Sequence, residues 1–392
     1  MRILIVGASG YIGGRLTSVL SSLGHELVLM SRDARPLAGR FPNATVVAAD
    51  LLVPSSLTPA LEGIDVAYYL AHSMGSGERG FAERDRAAAQ NFAAAAAQAG
   101  VQRIVYLGGL GDEAARLSPH LESRQQTGKE LAAHGVPVTE FRAAIIIGSG
   151  SASFEILRHL TERLPIMITP RWVGTRCQPI GIRDALDYLV AALDHSEITG
   201  VVEIGGPDIL SYGDMMRTYA RLRGLRRLMI PVPVLTPSLS SYWVSLVSPV
   251  PAGIARPLIE GLRNEVIVRD PRPAGAFGLR PATYEKALQR AIDRTDRHAV
   301  ESTWFDSLDA PGREELPIMT SSEGMIIERR HQVVAVPPDR LFAEVERLGG
   351  RAGWPYGNVL WRIRGMLDHL RLRSDARSLR FESLSQSFKV ST

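Results

Sequence analysis

The chain has 392 residues, which is enough for two or three domains. Hydrophobic residues make up 45% of it and charged residues 22%, a composition typical of soluble globular proteins that excludes disorder as the main state. Lys and Arg number 45 against 41 Asp and Glu, so the net charge of +4 gives no reason to expect a nucleic-acid partner. The single cysteine, Cys177, excludes an intrachain disulfide and a cysteine-cluster zinc site.

The start of the chain has no pattern of a secretion signal, because Met1 and Arg2 lead directly into a strand-like run and a glycine loop. We therefore expect a cytoplasmic protein. Residues 228–259 are the most apolar stretch, but prolines interrupt it and leave no gap longer than 11 residues. Because a membrane-spanning helix needs about 20 apolar residues, we expect none here. A buried subdomain is favoured, while a substrate lid, a partner surface and peripheral membrane contact stay open.

Apolar runs and helical patterns alternate through the first half of the chain. The runs predict strands at 2–6, 26–30, 45–48, 64–70, 103–107 and 138–147, and the clearest helical patterns are at 11–23 and 87–99. Continuous apolar strands separated by helices are typical of a parallel sheet covered on both faces. We therefore predict a doubly wound α/β core over residues 1–150.

The pattern becomes less regular after this core. Residues 151–320 are expected to hold the remaining α/β elements, with a strand at 201–204, and a smaller substrate-side region. A strand-like run at 324–336 and an amphipathic helix at 340–348 then predict a partial α+β domain over 321–373. The tail 374–392 is rich in Ser and Arg and has no hydrophobic period, so we expect it to be disordered.

The turn between the first strand and the first helix reads GASGYIG, which is a G-x-x-G-x-x-G motif. The first glycine permits a tight turn, the second lets the backbone approach a pyrophosphate, and the third lets helix and strand pack closely. Amides and the dipole at the helix N-terminus then hold the phosphates. The motif predicts dinucleotide binding through Gly7, Ser9, Gly10, Tyr11, Ile12 and Gly13.

The end of the second strand indicates which dinucleotide is bound. An NAD site usually has an acidic residue here, whereas this chain reads Ser31-Arg32-Asp33. Arg32 can pair with a 2′-phosphate and Ser31 can hydrogen-bond to it, so NADP is favoured over NAD, although Asp33 leaves NAD open. Asp50, followed by Leu51, comes after the third strand and is predicted to accept a hydrogen bond from the adenine amino group; capping the next helix is the alternative.

On these residues, segment 1–300 resembles an atypical member of the short-chain dehydrogenase/reductase family. Further segments that carry the resemblance are Asp50-Leu51, YYLAH at 68–72, Asn91, QRIVYLGG at 102–109, QPI at 178–180 and Asp184. The resemblance implies a Rossmann fold, NADP or NAD as cofactor and oxidoreductase chemistry. Its subgroup is bacterial and is similar to the accessory Rossmann subunit of respiratory complex I.

In that subgroup the reductase-like domain is followed by a domain that resembles the START/polyketide-cyclase helix-grip type. GGRAGW at 349–354 and LWRIRG at 360–365 match how that domain begins. A helix-grip core needs well over 100 residues, so this domain is expected to be truncated. We predict that residues 322–392 close no such core alone and either dock on the first domain or stay mobile, with Trp354 and Trp361 partly exposed.

The family's catalytic pattern is altered in this chain. Active members carry a Tyr and a Lys one helical turn apart, which face the nicotinamide together, and a Ser at the end of the fifth strand. Here the helix that opens at Ser118 carries His120 in place of the Tyr and Arg124 in place of the Lys, and the strand ends in glycines. Arg124 can bind ribose hydroxyls and His120 can donate a proton, although a neighbouring arginine disfavours the imidazolium.

Two functions follow. The favoured one is a dinucleotide-binding protein with weak or no standard reductase activity, acting as a sensor or an assembly subunit. The alternative is an NADP-dependent oxidoreductase of an unknown carbonyl or alcohol, with His120 and Arg124 as catalytic residues. The expected partners are the dinucleotide and an unidentified small molecule or protein, without nucleic acid or metal.

Overall fold

The computed structural model describes residues 1–71, 80–114, 117–232, 258–297 and 300, the strands at 318–322 and 325–329, and residue 340. Two compact units divide the chain, Met1–Pro311 and Gly312–Thr392. The described strands of the first unit are β1 (Arg2–Val6), β2 (Glu26–Ser31), β3 (Thr45–Ala48), β4 (Val66–Tyr69), β5 (Arg103–Gly109), β6 (Val138–Ala143), β7 (Ile146–Ile147), β8 (Ile166–Pro170), β9 (Arg176–Cys177), β10 (Ile180–Gly181), β11 (Gly200–Ile204), β12 (Leu210–Ser211) and β13 (Leu228–Val232).

Helices connect these strands and cover their faces. Their described bounds are α1 (Tyr11–Ser22), α2 (Arg35–Arg40), α3 (Thr58–Leu61), α4 (Phe81–Gln98), α5 (Pro119–Ala132), α6 (Ala152–Arg163), α7 (Ile182–Ala191), α8 (Tyr212–Leu222), α9 (Arg272–Gly275) and α10 (Tyr284–Asp296). Among the described residues, no helix is both long enough and apolar enough to cross a membrane.

The central sheet has the strand order β11-β6-β5-β4-β1-β2-β3. All of its pairings are parallel, as predicted for a doubly wound α/β core. From β1 the chain builds outward in one direction through β2 and β3, and then returns to build in the other direction from β4. Ligands of such sheets bind at the carboxyl ends of the strands where the order reverses, which here is between β1 and β4.

Alternate residues of β1 face opposite sides of the sheet and begin two separate hydrophobic cores. Ile3 and Ile5 pack in one core with Leu16 of α1. Leu4 packs in the other core with Phe92 of α4. All five side chains are fully buried, which explains why this strand reads as a continuous apolar run in the sequence.

Two predicted elements have different bounds in the structure. The single strand predicted at 138–147 is wrong, because β6 ends at Ala143 and β7 pairs with β10 outside the central sheet. Ala143 still accepts a hydrogen bond from Leu110, whereas Ile145 accepts one from Ile180, so the chain changes partners between these residues. The helix predicted at 87–99 begins earlier, since α4 starts at Phe81 with a polar first turn.

The substrate-side region has its own core, formed mainly by α6, α8 and α10 around the short strands. Its parallel pair β8 and β13 lies outside the central sheet. In the second unit, strands β14 (Ile318–Ser322) and β15 (Met325–Arg329) form an antiparallel hairpin, and β15 occupies part of the strand predicted at 324–336. The rest of that strand and the predicted tail lie outside the described residues, as do Trp354, Trp361 and residues 233–257. The domain boundaries at 150, 320 and 373 stay predictions.

Cys177 is predicted to be chemically inert in the folded protein. Its side chain is 3% exposed, and burial raises the pKa of the thiol to about 12. Because the thiolate is the nucleophile, this shift leaves the thiol poorly reactive near neutral pH. We expect iodoacetamide to leave the native protein unmodified and to label Cys177 fully in urea, as measured by intact-mass spectrometry. Rapid labelling without denaturant would contradict this burial.

Candidate functional site

The glycine loop at the carboxyl end of β1 has a geometry that only glycines permit at two positions. Gly7 has a φ of 88°, and a Cβ there would lie 2.7 Å from the carbonyl oxygen of Leu70. At Gly13 a Cβ would overlap with the carbonyl oxygen of Gly7 and lie 2.8 Å from its carbonyl carbon. The loop therefore brings β1, β4 and α1 into direct backbone contact.

The same loop leaves the N-terminus of α1 open for an anion. Gly10 is the N-cap residue and offers no side chain to cap the helix, and its amide bonds to the oxygen of Gly7 at 3.0 Å. The first turn of α1 contains no acidic residue. Backbone amides and the helix dipole favour a phosphate at such a position. These features fit a dinucleotide pyrophosphate, with Ser9, Tyr11 and Ile12 flanking the same turn.

A second loop meets the glycine loop, and sequence reasoning missed it. A Cβ at Gly148 would overlap with the hydroxyl of Tyr11. Arg15 of α1 donates to the carbonyl of Ser149 at 2.9 Å and lies 4.7 Å from the centre of the Tyr11 ring. Ser149 is 1% exposed, and its hydroxyl has no hydrogen-bond partner among the described residues. The glycine-serine cluster after an apolar run was the available sequence signal.

At the end of β2, the acidic residue Asp33 is paired with a nearby arginine. The carboxylate of Asp33 accepts two hydrogen bonds from the guanidinium of Arg35, at 3.0 and 2.8 Å, and one from the Arg35 amide. The side-chain hydrogen bonds from Arg35 hold the pKa of Asp33 below its usual range. Asp33 therefore acts as a local turn residue paired with Arg35, while Arg32 is exposed directly after Ser31 at the carboxyl end of β2.

Another arginine approaches the glycine loop without any sequence signal. Arg40, the last residue of α2, packs against the first turns of α1, because a Cβ at Gly14 would lie 2.9 Å from its Nη2 atom. Its guanidinium also lies 5.1 Å from the centre of the Phe41 ring. Positive charge thus stands beside α1 as well as at the end of β2.

The turn after β3 is built by Asp50 and supported from α4. Oδ1 of Asp50 accepts a hydrogen bond from the amide of Leu52 at 2.9 Å, and the Asp50 amide donates to Ser56. Asn91 of α4 donates to the carbonyl of Leu51 at 2.9 Å. The carboxylate thus stabilises the turn in which it lies, a role similar to the helix capping given above as the alternative. Its predicted contact with adenine stays a prediction.

Helix α5 begins as the sequence predicts. Ser118 is its N-cap residue and accepts a hydrogen bond from the amide of Leu121, and Pro119 is the first helical residue. The Ser118 amide in turn donates to Asn264 of the substrate-side region at 3.1 Å. His120 lies in the first turn and is half-buried, and Arg124 follows one turn later.

The guanidinium of Arg124 is held at the carboxyl end of β5. Its Nη2 atom donates to the carbonyl of Leu107, and the group lies 5.5 Å from the centre of the Tyr106 ring. The Tyr106 hydroxyl donates back to the carbonyl of Arg124 at 2.8 Å, and burial raises the pKa of Tyr106 to about 12. The Tyr106 hydroxyl therefore links β5 to α5.

The predicted cofactor residues follow the carboxyl ends of β1, β2 and β3, and α5 follows β5. Because carboxyl ends of parallel strands meet at one edge of a sheet, these elements share the edge at which ligands bind. His72, in the segment that follows β4, lies outside the described residues. In the described part of the chain, no three His, Cys, Asp or Glu side chains come together as metal ligands do.

A separate cleft of about 620 Å³ lies in the substrate-side region beside β8 and β13. It shares no lining residue with the glycine loop or α5. Arg171 and Arg217 contribute positive charge to its wall, and Met229 and Val232 contribute apolar surface. This cleft is a second concave surface of the first unit, distinct from the dinucleotide edge.

Comparison with known proteins agrees with this geometry. Residues 7–143 match a family of domains described as NAD(P)H-binding. A 3-beta-hydroxysteroid dehydrogenase of Mycolicibacterium neoaurum is 32% identical over 114 residues, which cover 27% of this chain and 31% of the relative. The photosystem II assembly factor Ycf39 of Synechocystis is 28% identical over 107 residues, which cover 27% of this chain and 33% of the relative. The chain thus spans about a third of the length of these two relatives.

A solved structure shares the fold over a longer range. The enzyme WbmG of Bordetella bronchiseptica, crystallised in complex with NAD, has a TM-score of 0.61 at 17% identity. The alignment covers 78% of this chain and 96% of WbmG. Residues 7–143 therefore match an NAD(P)H-binding domain, and the likeness to WbmG shows a Rossmann-type α/β fold.

Proposed function

We propose that this chain binds NADP(H) in preference to NAD(H) and has weak or no standard reductase activity. The glycine loop and the N-terminus of α1 hold the pyrophosphate, Ser31 and Arg32 hold the 2′-phosphate, and Asp50 with Leu51 borders the adenine. Arg124 contacts the ribose on the nicotinamide side. When bound, the reduced nicotinamide supplies a hydride; the residues named here bind and orient it.

The state of Arg124 is the observation that supports low activity. An active Lys at this place needs a free ammonium for the ribose and a Tyr one turn earlier. Arg124 instead donates one hydrogen bond to the Leu107 carbonyl, and its guanidinium lies against the Tyr106 ring. A guanidinium has five donors, so it can hold a ribose hydroxyl while it anchors the helix. An arginine can therefore bind the cofactor, but it stays protonated and does not transfer a proton to the substrate. In α5 that task would fall to His120.

The alternative function is an NADP-dependent oxidoreductase that acts on an unidentified carbonyl or alcohol. Similarity to a 3-beta-hydroxysteroid dehydrogenase over part of the first unit supports it. In this version His120, in the first turn of α5, donates the proton to the substrate oxygen and Arg124 holds the ribose. A positioned acid contributes about 10²–10⁴-fold to the rate.

Variants of the two residues distinguish these functions. We expect His120→Ala to leave NADPH affinity unchanged and Arg124→Ala to weaken it about tenfold, because a charged hydrogen bond contributes about 1.5–3 kcal/mol. With a panel of aldehydes and ketones, NADPH oxidation by the wild type should not exceed background. Turnover that His120→Ala lowers by about 10²-fold or more would favour the oxidoreductase instead. Robust turnover that survives His120→Ala would contradict both versions.

A partner protein completes the favoured proposal. Similarity to Ycf39, which is named as an assembly factor, supports a role as an assembly subunit, and the resemblance to the complex I accessory-subunit subgroup points the same way. We place this activity in the cytoplasm. Residues 321–373, which resemble the start of a helix-grip domain in sequence, are then an addition to the cofactor-binding unit. Co-purification of a tagged full-length chain, with and without added NADPH, tests this role through a partner whose recovery depends on the dinucleotide.

A further inference from the structure

A buried carboxylate lies directly beneath the middle of α5. Glu140 of β6 is 5% exposed. A Cβ at Gly128 of α5 would overlap with Oε2 of Glu140 and lie 2.5 Å from its Cδ atom. A Cβ at Gly108 of β5 would lie 3.1 Å from the Oε1 atom. The carboxylate therefore fills a notch that exists because both neighbouring positions are glycine.

An ion pair with Arg142 orients this carboxylate, and Arg142 belongs to a larger charged network. Nε of Arg142 lies 2.7 Å from Oε1 of Glu140, and its Nη1 atom lies 2.7 Å from Glu113, in the loop after β5. Glu113 also pairs with Lys129 of α5 at 3.2 Å. The Arg142 side chain is 5% exposed, so this arginine bridges β6 to the loop in a shielded environment. Arg142 thus holds the carboxylate of Glu140 from its own strand, and its pair with Glu113 links the same network through Lys129 to α5.

The notch and the proposed cofactor contact lie on the same face of α5. Gly128 follows Arg124 by four residues, and residues at this spacing lie one above the other on a helix. Arg124 donates to the Leu107 carbonyl of β5. Its own Cβ atom lies 3.7 Å from the place where a Cβ at Gly109 of β5 would be. A displacement of α5 at Gly128 must therefore move Arg124 relative to the end of β5.

We propose that Glu140, seated in the notch at Gly128, is a positioning residue that sets the distance of α5 from the sheet and thereby aims Arg124 at the nicotinamide ribose. This role rests on the proposed contact of Arg124 with the cofactor. The adenosine half is held by the glycine loop and the end of β2, so its binding is independent of the notch. The two halves of the dinucleotide thus respond differently when the notch is filled.

The test compares two ligands on the full chain. Gly128→Ala adds a methyl group where the carboxylate lies, and we expect it to weaken NADPH by about tenfold through a displaced Arg124. Binding of 2′,5′-ADP, which has the adenine side and the 2′-phosphate but no nicotinamide ribose, should stay within about twofold. Gly275→Ala is the matched control, because it is also a helical glycine and a Cβ there meets no atom within 4 Å. Equal loss of both ligands, or no loss of either, would overturn the proposal.

A compensating variant separates positioning from general damage. Glu140→Asp shortens the side chain by one methylene, so the double variant Gly128→Ala/Glu140→Asp should recover most of the NADPH affinity. Glu140→Asp alone leaves a small void and should weaken NADPH by about threefold, with 2′,5′-ADP unchanged. If Gly128→Ala does not fold, Glu140→Asp alone still tests the proposal. Failure of the double variant to recover affinity, in a protein with wild-type far-UV circular dichroism, would count against the notch.

Amide hydrogen exchange tests the notch without any ligand. Gly128→Ala should accelerate exchange across 119–132 and leave α1 unchanged, whereas Gly275→Ala should change neither. Unchanged exchange in α5 would overturn the proposal. If the wild type bound neither NADPH nor 2′,5′-ADP, the proposed function would fail, and the exchange result would still decide whether Glu140 positions α5.

Discussion

Replacement of Gly13 by alanine is expected to reduce the affinity for both NADPH and NADH by at least about 100-fold. The new Cβ would overlap with the carbonyl oxygen of Gly7 and lie 3.0 Å from the Cα atom of Ala8. Both are backbone atoms of the turn that faces the pyrophosphate, so no flexible side chain can move away. Helix α1 must then shift away from β1, and the loop loses the approach to the phosphates. Isothermal titration calorimetry with each dinucleotide measures the loss.

The control is again Gly275→Ala, which makes the same chemical change without a steric contact and should bind both dinucleotides as the wild type does. Gly10→Val provides an independent variant of the loop and should also weaken both dinucleotides, because its side chain blocks the backbone approach to the pyrophosphate. Wild-type affinity in a folded Gly13→Ala protein would show that the dinucleotide does not bind at this loop.

Arg32→Asp is expected to weaken NADPH by about 10–150-fold, which corresponds to a charge-assisted hydrogen bond of about 1.5–3 kcal/mol. NADH lacks the 2′-phosphate and should lose much less. The carboxylate of Asp33 is engaged by Arg35 at 2.8 Å. The ratio of the NADPH and NADH dissociation constants is the quantity to measure.

Arg32→Lys is the matched control for this prediction. It keeps the charge but loses the bidentate geometry, so the ratio of the NADPH to the NADH dissociation constant should rise only partly toward that of Arg32→Asp. An unchanged ratio in Arg32→Asp would assign the selectivity to another residue, of which Arg40, beside α1, is the next candidate.

The sequence predicted the middle of the central sheet well because β1 and β4 are largely buried on both faces and therefore read as continuous apolar runs. β1 and β3 were predicted with the bounds that the structure has. The break between β6 and β7 was not predictable, because Ala144 and Ile145 between them are apolar and give no turn signal. The second part leaves the sheet for Ile180, which lies 34 residues from Ile146 in the chain.

The candidate site also has parts that the sequence predicts and parts that it does not. The glycine loop and the cap at Ser118 depend on local chemistry, and the motif or the residue type predicts them. The pairing of Asp33 with Arg35 needs the exact turn that begins α2, and the notch formed by Gly128 around Glu140 needs the register of β6 under α5. Contacts of this second kind depend on packing between distant segments and leave no periodic pattern in the sequence.

The most direct measurement is a calorimetric titration of the purified full-length chain with NADPH and, separately, with NADH. We expect saturable binding of one dinucleotide per chain, with NADPH bound more tightly than NADH. Tighter binding of NADH would contradict the assignment of Arg32 to the 2′-phosphate, and no binding of either dinucleotide would contradict the central claim that this chain is an NADP(H)-binding protein.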